Sequence, residues 1–231
     1  MTSANLDRSL IPPDELRFRV ANSLDPDEFL GVGERCANDL RTAISSVGRN
    51  VAECKEVLDF GCGSGRTLRW FTESPPRFYG ADMDAEAIGW CKNHLAGMIF
   101  VVNQALPPLP FGSDKFDFVY AISVFSHLDE TYATIWLQEL QRVAAPNAIL
   151  AISICGPLIY QATAGDVVEL HEKGLLFSQP GYWKNHFPDW YGDMYYDEAG
   201  ARRLFGRNLD FLALLPAGIN GHQDLVLLRK P

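Results

Sequence analysis

The stretch VLDFGCGSGR, residues 57 to 66, decides the fold. Val57-Leu58-Asp59-Phe60 reads as a buried strand, and Gly61, Gly63 and Gly65 follow at alternate positions. Glycine reaches backbone conformations closed to other residues and carries no Cβ, so such a turn bends sharply and comes close to a ligand. The helix expected to follow would aim free backbone N–H groups at the same spot. Spacing then separates ligand classes. A dinucleotide site asks for G-x-G-x-x-G, but residue 66 is Arg and the pattern is G-x-G-x-G. Asp59 places a carboxylate where a diphosphate would be repelled and an ammonium or sulfonium group would be held.

Working outward, strands alternate with helices between residues 56 and 154. Phe78-Tyr79-Gly80-Ala81 ends in Asp82, Ile99-Phe100-Val101-Val102 ends in Asn103, and Phe116 to Ile122 and Ala148 to Ile154 are two further apolar runs. Asp84 reads as a helix cap with Glu86 in the first turn and Ile88, Cys91 and Leu95 facing inward. Tyr132, Trp136, Leu140 and Val143 mark another helix, stopped by Pro146. Upstream, Asp25-Pro26-Asp27-Glu28 opens a helix whose apolar stripe is Phe29, Val32, Cys36, Leu40, Ile44 and Val47. This rhythm predicts an α/β fold: a doubly wound, mostly parallel seven-stranded sheet with helices on both faces. Leu209 to Leu215 and Leu225 to Leu228, separated by Pro216 to Gly221, predict a terminal antiparallel hairpin.

With these motifs in order, the chain resembles class I, Rossmann-like S-adenosylmethionine-dependent methyltransferases over about residues 55 to 155. The resemblance implies that the turn, with Asp59, Gly61, Cys62, Gly63 and Gly65, holds the methionine part of S-adenosyl-L-methionine. It implies that Asp82, closing the second strand, accepts hydrogen bonds from both ribose hydroxyls and that Met83 lies against the adenine ring. Where the family often has Asp-Ala after the third strand, this chain has Gln104-Ala105, which keeps an acceptor for the adenine amino group but loses the charge. LPFGSDKFDFVYAISVFSHL, residues 109 to 128, looks like the fourth-strand block, and Ser123 joins the cofactor set. RVAAPNAILAIS, residues 142 to 153, looks like the turn into the fifth strand, with Asn147 in place of a glycine; Asn tolerates positive φ.

The whole chain then divides as one domain, residues 1–231. An N-terminal helical arm (1–54) precedes the cofactor-binding core (55–155), an aromatic-rich insertion or lid (156–196), and a closing helix and hairpin (197–231). PPDELRFRV, FPDWY and NGHQDLVLLRKP resemble bacterial methyltransferases of unassigned acceptor, some of them among sugar- and cell-surface-building enzymes.

Composition narrows the partners. A net charge of -9 on 231 residues, without a cluster of Lys and Arg, argues against a nucleic-acid partner, which needs cations to displace counterions. No apolar run is long enough to span a membrane, and the start MTSANLDRSLIPP lacks a secretory pattern. Five cysteines without CxxC pairing predict reduced thiols in a cytoplasmic protein and no metal site. The reading is methyl transfer to an O or N atom of a small-molecule acceptor, sugar-like or aromatic. No Asn/Asp-Pro-Pro-Tyr block follows the fourth strand, disfavouring amino-methylation of adenine or glutamine, and no Pro-Cys nucleophile is there for cytosine. The alternative is a non-catalytic S-adenosylmethionine-binding partner subunit.

Acceptor ligands in such a sheet lie outside the carboxyl ends of the strands. His127, past the fourth strand, is the first expected general base, set against a histidine that merely caps the next helix. His222 is the second, with Gln223 and Asp224 beside it, because the hairpin turn should open at the same edge. Residues 177 to 196 hold eight aromatic side chains, among them Trp183, Trp190 and Tyr191. They are expected either to stack on the acceptor as a lid or to form a satellite hydrophobic cluster. Arg17 and Arg19, after Pro12-Pro13, are expected either to reach an anionic acceptor group or to stay solvated.

Overall fold

The computed structural model describes residues 10–21, 24–74, 76–163, 165–181 and 188–231. Between residues 56 and 154 strands and helices alternate except from Val102 to Phe116, and nine strands in all lie among the described residues. Seven of them form one sheet in the order β3 (Ile99–Val102), β2 (Arg77–Asp82), β1 (Glu56–Phe60), β4 (Phe116–Ala121), β5 (Ala144–Ile154), β9 (Gln223–Arg229), β8 (Asp210–Ile219). The first five run parallel, while β9 is antiparallel to both β5 and β8. Chain order therefore reverses on either side of β1, and the crevice beside β1 and β4 is where such sheets bind ligands.

Local chemistry explains the helices. In α2 (Pro26–Ser46) Asp25 caps the Asp27 N–H and Pro26 occupies the first turn. The expected stripe is there, with Phe29, Cys36, Leu40 and Ile44 buried. Asp84 caps α3 (Ala85–His94), and Asp129 caps α4 (Glu130–Val143), accepting from Tyr132 N. On one face of the sheet, α1 (Asp14–Ala21), α2 and α3 contribute to a cluster around Leu16, Leu40, Ile88 and Phe118. On the other, α4 and α7 (Glu198–Phe205) close over Leu58, Trp136, Leu140 and Phe205.

Four expectations change. The glycine turn leads not into an α-helix but into a 3₁₀ turn, Leu68–Trp70. There the Arg69 guanidinium donates to the carbonyls of Ser64 and Gly65, and the Arg69 N–H shares Gly65 O at 3.3 Å. The long segment after β5 is not a bare loop. It contains α5 (Pro157–Thr163), α6 (Val167–Lys173) and an antiparallel pair, β6 (Leu175–Ser178) with β7 (Asp193–Tyr196), over a small cluster of Ile159, Tyr160, Leu170 and Tyr195. Pro216 to Gly218 lie inside β8 rather than in its turn, because Asp224 Oδ1 takes the Ala217 N–H across an irregular register. The fifth strand starts at Ala144, as soon as α4 ends, and Asn147 takes φ +63° at the irregularity in its pairing with β4.

Candidate cofactor and acceptor site

Gly61, Gly63 and Gly65 all adopt positive φ. At Gly63 a Cβ would collide with Val20 of α1, and at Gly61 with Val124 just past β4. The glycines thus admit protein side chains against the turn, as well as a ligand on its open side. Gly61 N and Cys62 N donate to Ala81 O, tying the turn to the end of β2.

Two carboxylates flank the turn. Asp59 is 3% exposed, and its Oδ2 accepts from Tyr120 Oη at 3.1 Å. Burial pushes this carboxyl up to about 8; the Asp82 charge adds to the rise, while the Tyr120 hydroxyl and Arg66 oppose it. Asp82 accepts from Gly63 N at 2.7 Å and Asp84 N at 2.8 Å, one on each carboxylate oxygen. Each oxygen keeps a further lone pair, so a pair of vicinal hydroxyls still finds two acceptors in fixed positions. Burial raises the Asp82 carboxyl, and the backbone donors work against that. The cradle fits a molecule with a cation at one end and a ribose at the other.

Beyond Asp82, Met83 is 55% exposed on the rim and Gln104 is exposed, whereas the preceding Asn103 is buried and donates from Nδ2 to Gln104 O. Ala105 O accepts from Trp136 Nε1, which fixes the loop after β3. Ser123, at the end of β4, stands at φ +58°. Its N–H donates to Ser153 Oγ, and both hydroxyls donate to Gln223 Oε1 at 3.1 and 2.8 Å. The hairpin turn does open at this edge: Asp224 pairs with Ile154, the last residue of β5.

On the acceptor side His127 does not cap α4, since Asp129 does so. Its Nδ1 lies 2.9 Å from Gly192 O and 3.9 Å from Asp193 Oδ1. A carbonyl only accepts, so Nδ1 carries the proton and the basic lone pair of the neutral ring is on Nε2. Burial lowers this imidazole, against the Gly192 carbonyl and the Asp193 charge. His222 sits exposed on the hairpin turn, with its N–H on Ile219 O. Gln223 is buried and Asp224 is held against Ala217.

The aromatic segment is stitched to the loop after β4: Gly192 N donates to His127 O, Met194 N to Ser126 O, and Asp129 N to Trp190 O. Its rings stack on protein rings, Tyr191 on His127 at 5.1 Å and Trp190 on Tyr132 at 4.5 Å. Burial, with the charges of Asp193 and Asp82 adding to it, pushes the Tyr191 hydroxyl up to about 12. Trp183 lies outside the described residues.

Both arginines of the arm have partners within the protein. Arg17 is buried within the arm, donating to Pro12 O, Asp14 Oδ1 and Leu24 O. Arg19 pairs with Asp84 Oδ2 at 2.9 Å and Glu86 Oε2 at 2.8 Å, where α3 begins. Sequence reasoning missed Tyr120 under Asp59, the Gly192 carbonyl and Asp193 beside His127, and Val20 over Gly63. All four are brought in by tertiary contacts that carry no spacing signal.

Residues 58–152 match the sequence profile of a methyltransferase domain. The fold is that of magnesium protoporphyrin IX methyltransferase from Synechocystis PCC 6803 with bound S-adenosylhomocysteine (15% identity, TM-score 0.59, covering 89% of this chain and 87% of that one). It is also that of the N-methyltransferase NodS from Bradyrhizobium japonicum WM9 in complex with S-adenosylhomocysteine (15%, 0.55, 97% and 95%). An S-adenosylmethionine-dependent methyltransferase from Clostridium acetobutylicum is similar as well (10%, 0.62, 85% and 91%). Residues 58–152 thus match a methyltransferase domain, on a fold shared with an S-adenosylmethionine-dependent methyltransferase and with two methyltransferases that hold S-adenosylhomocysteine. Among the described residues no helix is long and apolar enough to cross a membrane.

Proposed function

We propose that the chain uses S-adenosylmethionine to methylate an O or N atom of a small molecule, sugar-like or aromatic, in the cytoplasm, with His127 as general base. One observation carries this reading: the Gly192 carbonyl fixes the His127 tautomer, at the strand edge where the acceptor must enter. A base is useful to an acceptor that must lose a proton, as a hydroxyl or an amine does. When bound, S-adenosylmethionine supplies an already activated methyl group. Asp82 receives the ribose hydroxyls, Gly61, Gly63 and Gly65 admit the methionine portion, and Asp59 balances its cationic end. Gln104 and Ala105 then border the adenine, with Met83 against the ring. Ser123, Gln223 and Ser153 hold the end of β4 in place, and Tyr191 backs the base. The net charge of -9 supports a small acceptor over a nucleic acid.

The test incubates the purified chain with methyl-labelled S-adenosylmethionine and a fractionated metabolite extract. Label in a small, phosphate-poor fraction, and its loss in His127→Gln, is the expected result. Label only in RNA or protein would overturn the acceptor class.

A further inference from the structure

We propose that residues 10–21 are a strap closed over the cofactor cleft, and that the ion pairs of Arg19 with Asp84 and Glu86 latch it and set how long the cofactor stays bound. This inference rests on the cofactor reading above and concerns the regulation of that site.

The geometry runs from residue to residue across the cleft. Val20 packs on Gly63, the central glycine of the turn, so closely that no Cβ would fit between them. Arg66, just past the turn, donates from Nη1 to Val20 O at 2.8 Å, and Arg69 from Nη1 to Leu10 O at 2.6 Å. On the other side, Arg19 bridges to Asp84, two residues beyond the ribose-binding Asp82. The strap thus touches both the turn that takes the methionine portion and the strand end that takes the ribose. Phe18, 49% exposed, and Met83, 55% exposed, are both exposed apolar side chains beside this closure, Phe18 next to Arg19 and Met83 next to Asp84.

The same contacts make it able to open. Within the strap Pro12, Leu16 and Arg17 are buried and Ile11 and Val20 are partly buried against the core, so its apolar hold is a short row of side chains in and just before one helix. Its hold on α3 is ionic and solvent-facing, with the Arg19 side chain 44% exposed. Exposed pairs are individually weak and screened by salt, which suits a latch that must release product each turnover. Asp84 also caps α3, so it holds the latch and the helix start at once. Glu86 has no capping duty and is the partner to exchange.

The experiment measures dissociation rates of S-adenosylmethionine and S-adenosylhomocysteine from the full-length chain by stopped-flow displacement. Arg19→Glu is expected to release both about three- to tenfold faster, the scale of one or two exposed ion pairs. The double variant Arg19→Glu/Glu86→Arg is expected to recover part of the wild-type rate. Raising sodium chloride should speed release from wild type and slow it from Arg19→Glu, where screening relieves the repulsion from Asp84 and Glu86. Wild-type binding with an unaltered rate in Arg19→Glu overturns the strap and leaves the cofactor reading standing. A wild-type chain that binds neither compound overturns both. Circular dichroism melts of each variant, matching wild type, separate an opened strap from a misfolded one.

Discussion

The cofactor half of the site and the acceptor half are built on different principles. Around Gly61 to Gly65 and Asp82 the proposed cofactor cradle consists of backbone conformation and a carboxylate fixed by two N–H donors. Around His127 and Tyr191 the protein presents rings that first satisfy one another, Tyr191 on His127 and Trp190 on Tyr132, with the loop and β7 joined by backbone hydrogen bonds. The first half is a rigid cradle whose specificity is in short-range chemistry. The second is an assembled wall, so the same cradle can serve different acceptors by changing the wall alone.

Four substitutions probe that contrast. The largest effect is expected from His127→Gln, which keeps a hydrogen bond to Gly192 O but removes the base. Turnover on an identified acceptor should fall about 10²- to 10⁴-fold with cofactor affinity intact. The wild-type rate should rise with pH through the lowered imidazole value and level off near neutrality, because only the neutral ring accepts a proton. A pH profile of kcat checks the sign.

Next comes Asp82→Ala, which frees Gly63 N and Asp84 N and removes the two acceptors proposed for the ribose hydroxyls. Cofactor affinity by calorimetry should drop about a hundredfold or more. If acceptor turnover fell while cofactor binding held, the division between the two halves would be wrong.

Asp59→Asn sharpens the cradle further and should act in opposite directions on binding and stability. The folded carboxyl, pushed up to about 8, holds its proton more tightly than the unfolded chain does. Stability from this group is therefore fully present below the unfolded carboxyl pKa and is lost as pH rises through about 8. At pH 8 and above the neutral amide should raise the melting temperature of the ligand-free chain by a few degrees. A cationic cofactor pairs with the ionised form, so wild-type binding should release a proton near pH 7, seen as buffer-dependent heat. Asn should abolish that release and weaken binding about tenfold.

The smallest effect is expected at Trp190→Leu, which removes a ring stacked on Tyr132 and should cost about 1 kcal/mol in denaturant unfolding. A fall in acceptor KM specificity without loss of stability would instead return that ring to the substrate.

These two halves also differ in how far they could be read in advance. The alternation of strands and helices, the caps at Asp25 and Asp84, the glycine turn with Asp59 and Asp82, and the positive φ of Asn147 were all legible, because each depends on residues near in sequence. Arg69 went unread: nothing in its position announces that its side chain will donate to Ser64 O and Gly65 O beside the 3₁₀ turn. His127 was marked, but its tautomer came from Gly192, far along the chain.

By itself the sequence determined a doubly wound sheet with a glycine hinge between two carboxylates, since strand period, turn chemistry and caps are local and repeat along the chain. Only the tertiary structure decided which partners those groups acquire: Tyr120 under Asp59, Gly192 behind His127, Gln223 joining Ser123 to Ser153, and the Arg19 ion pairs on α3. Those contacts join residues far apart in the chain, and their burial and neighbouring charges set each group's pKa and geometry.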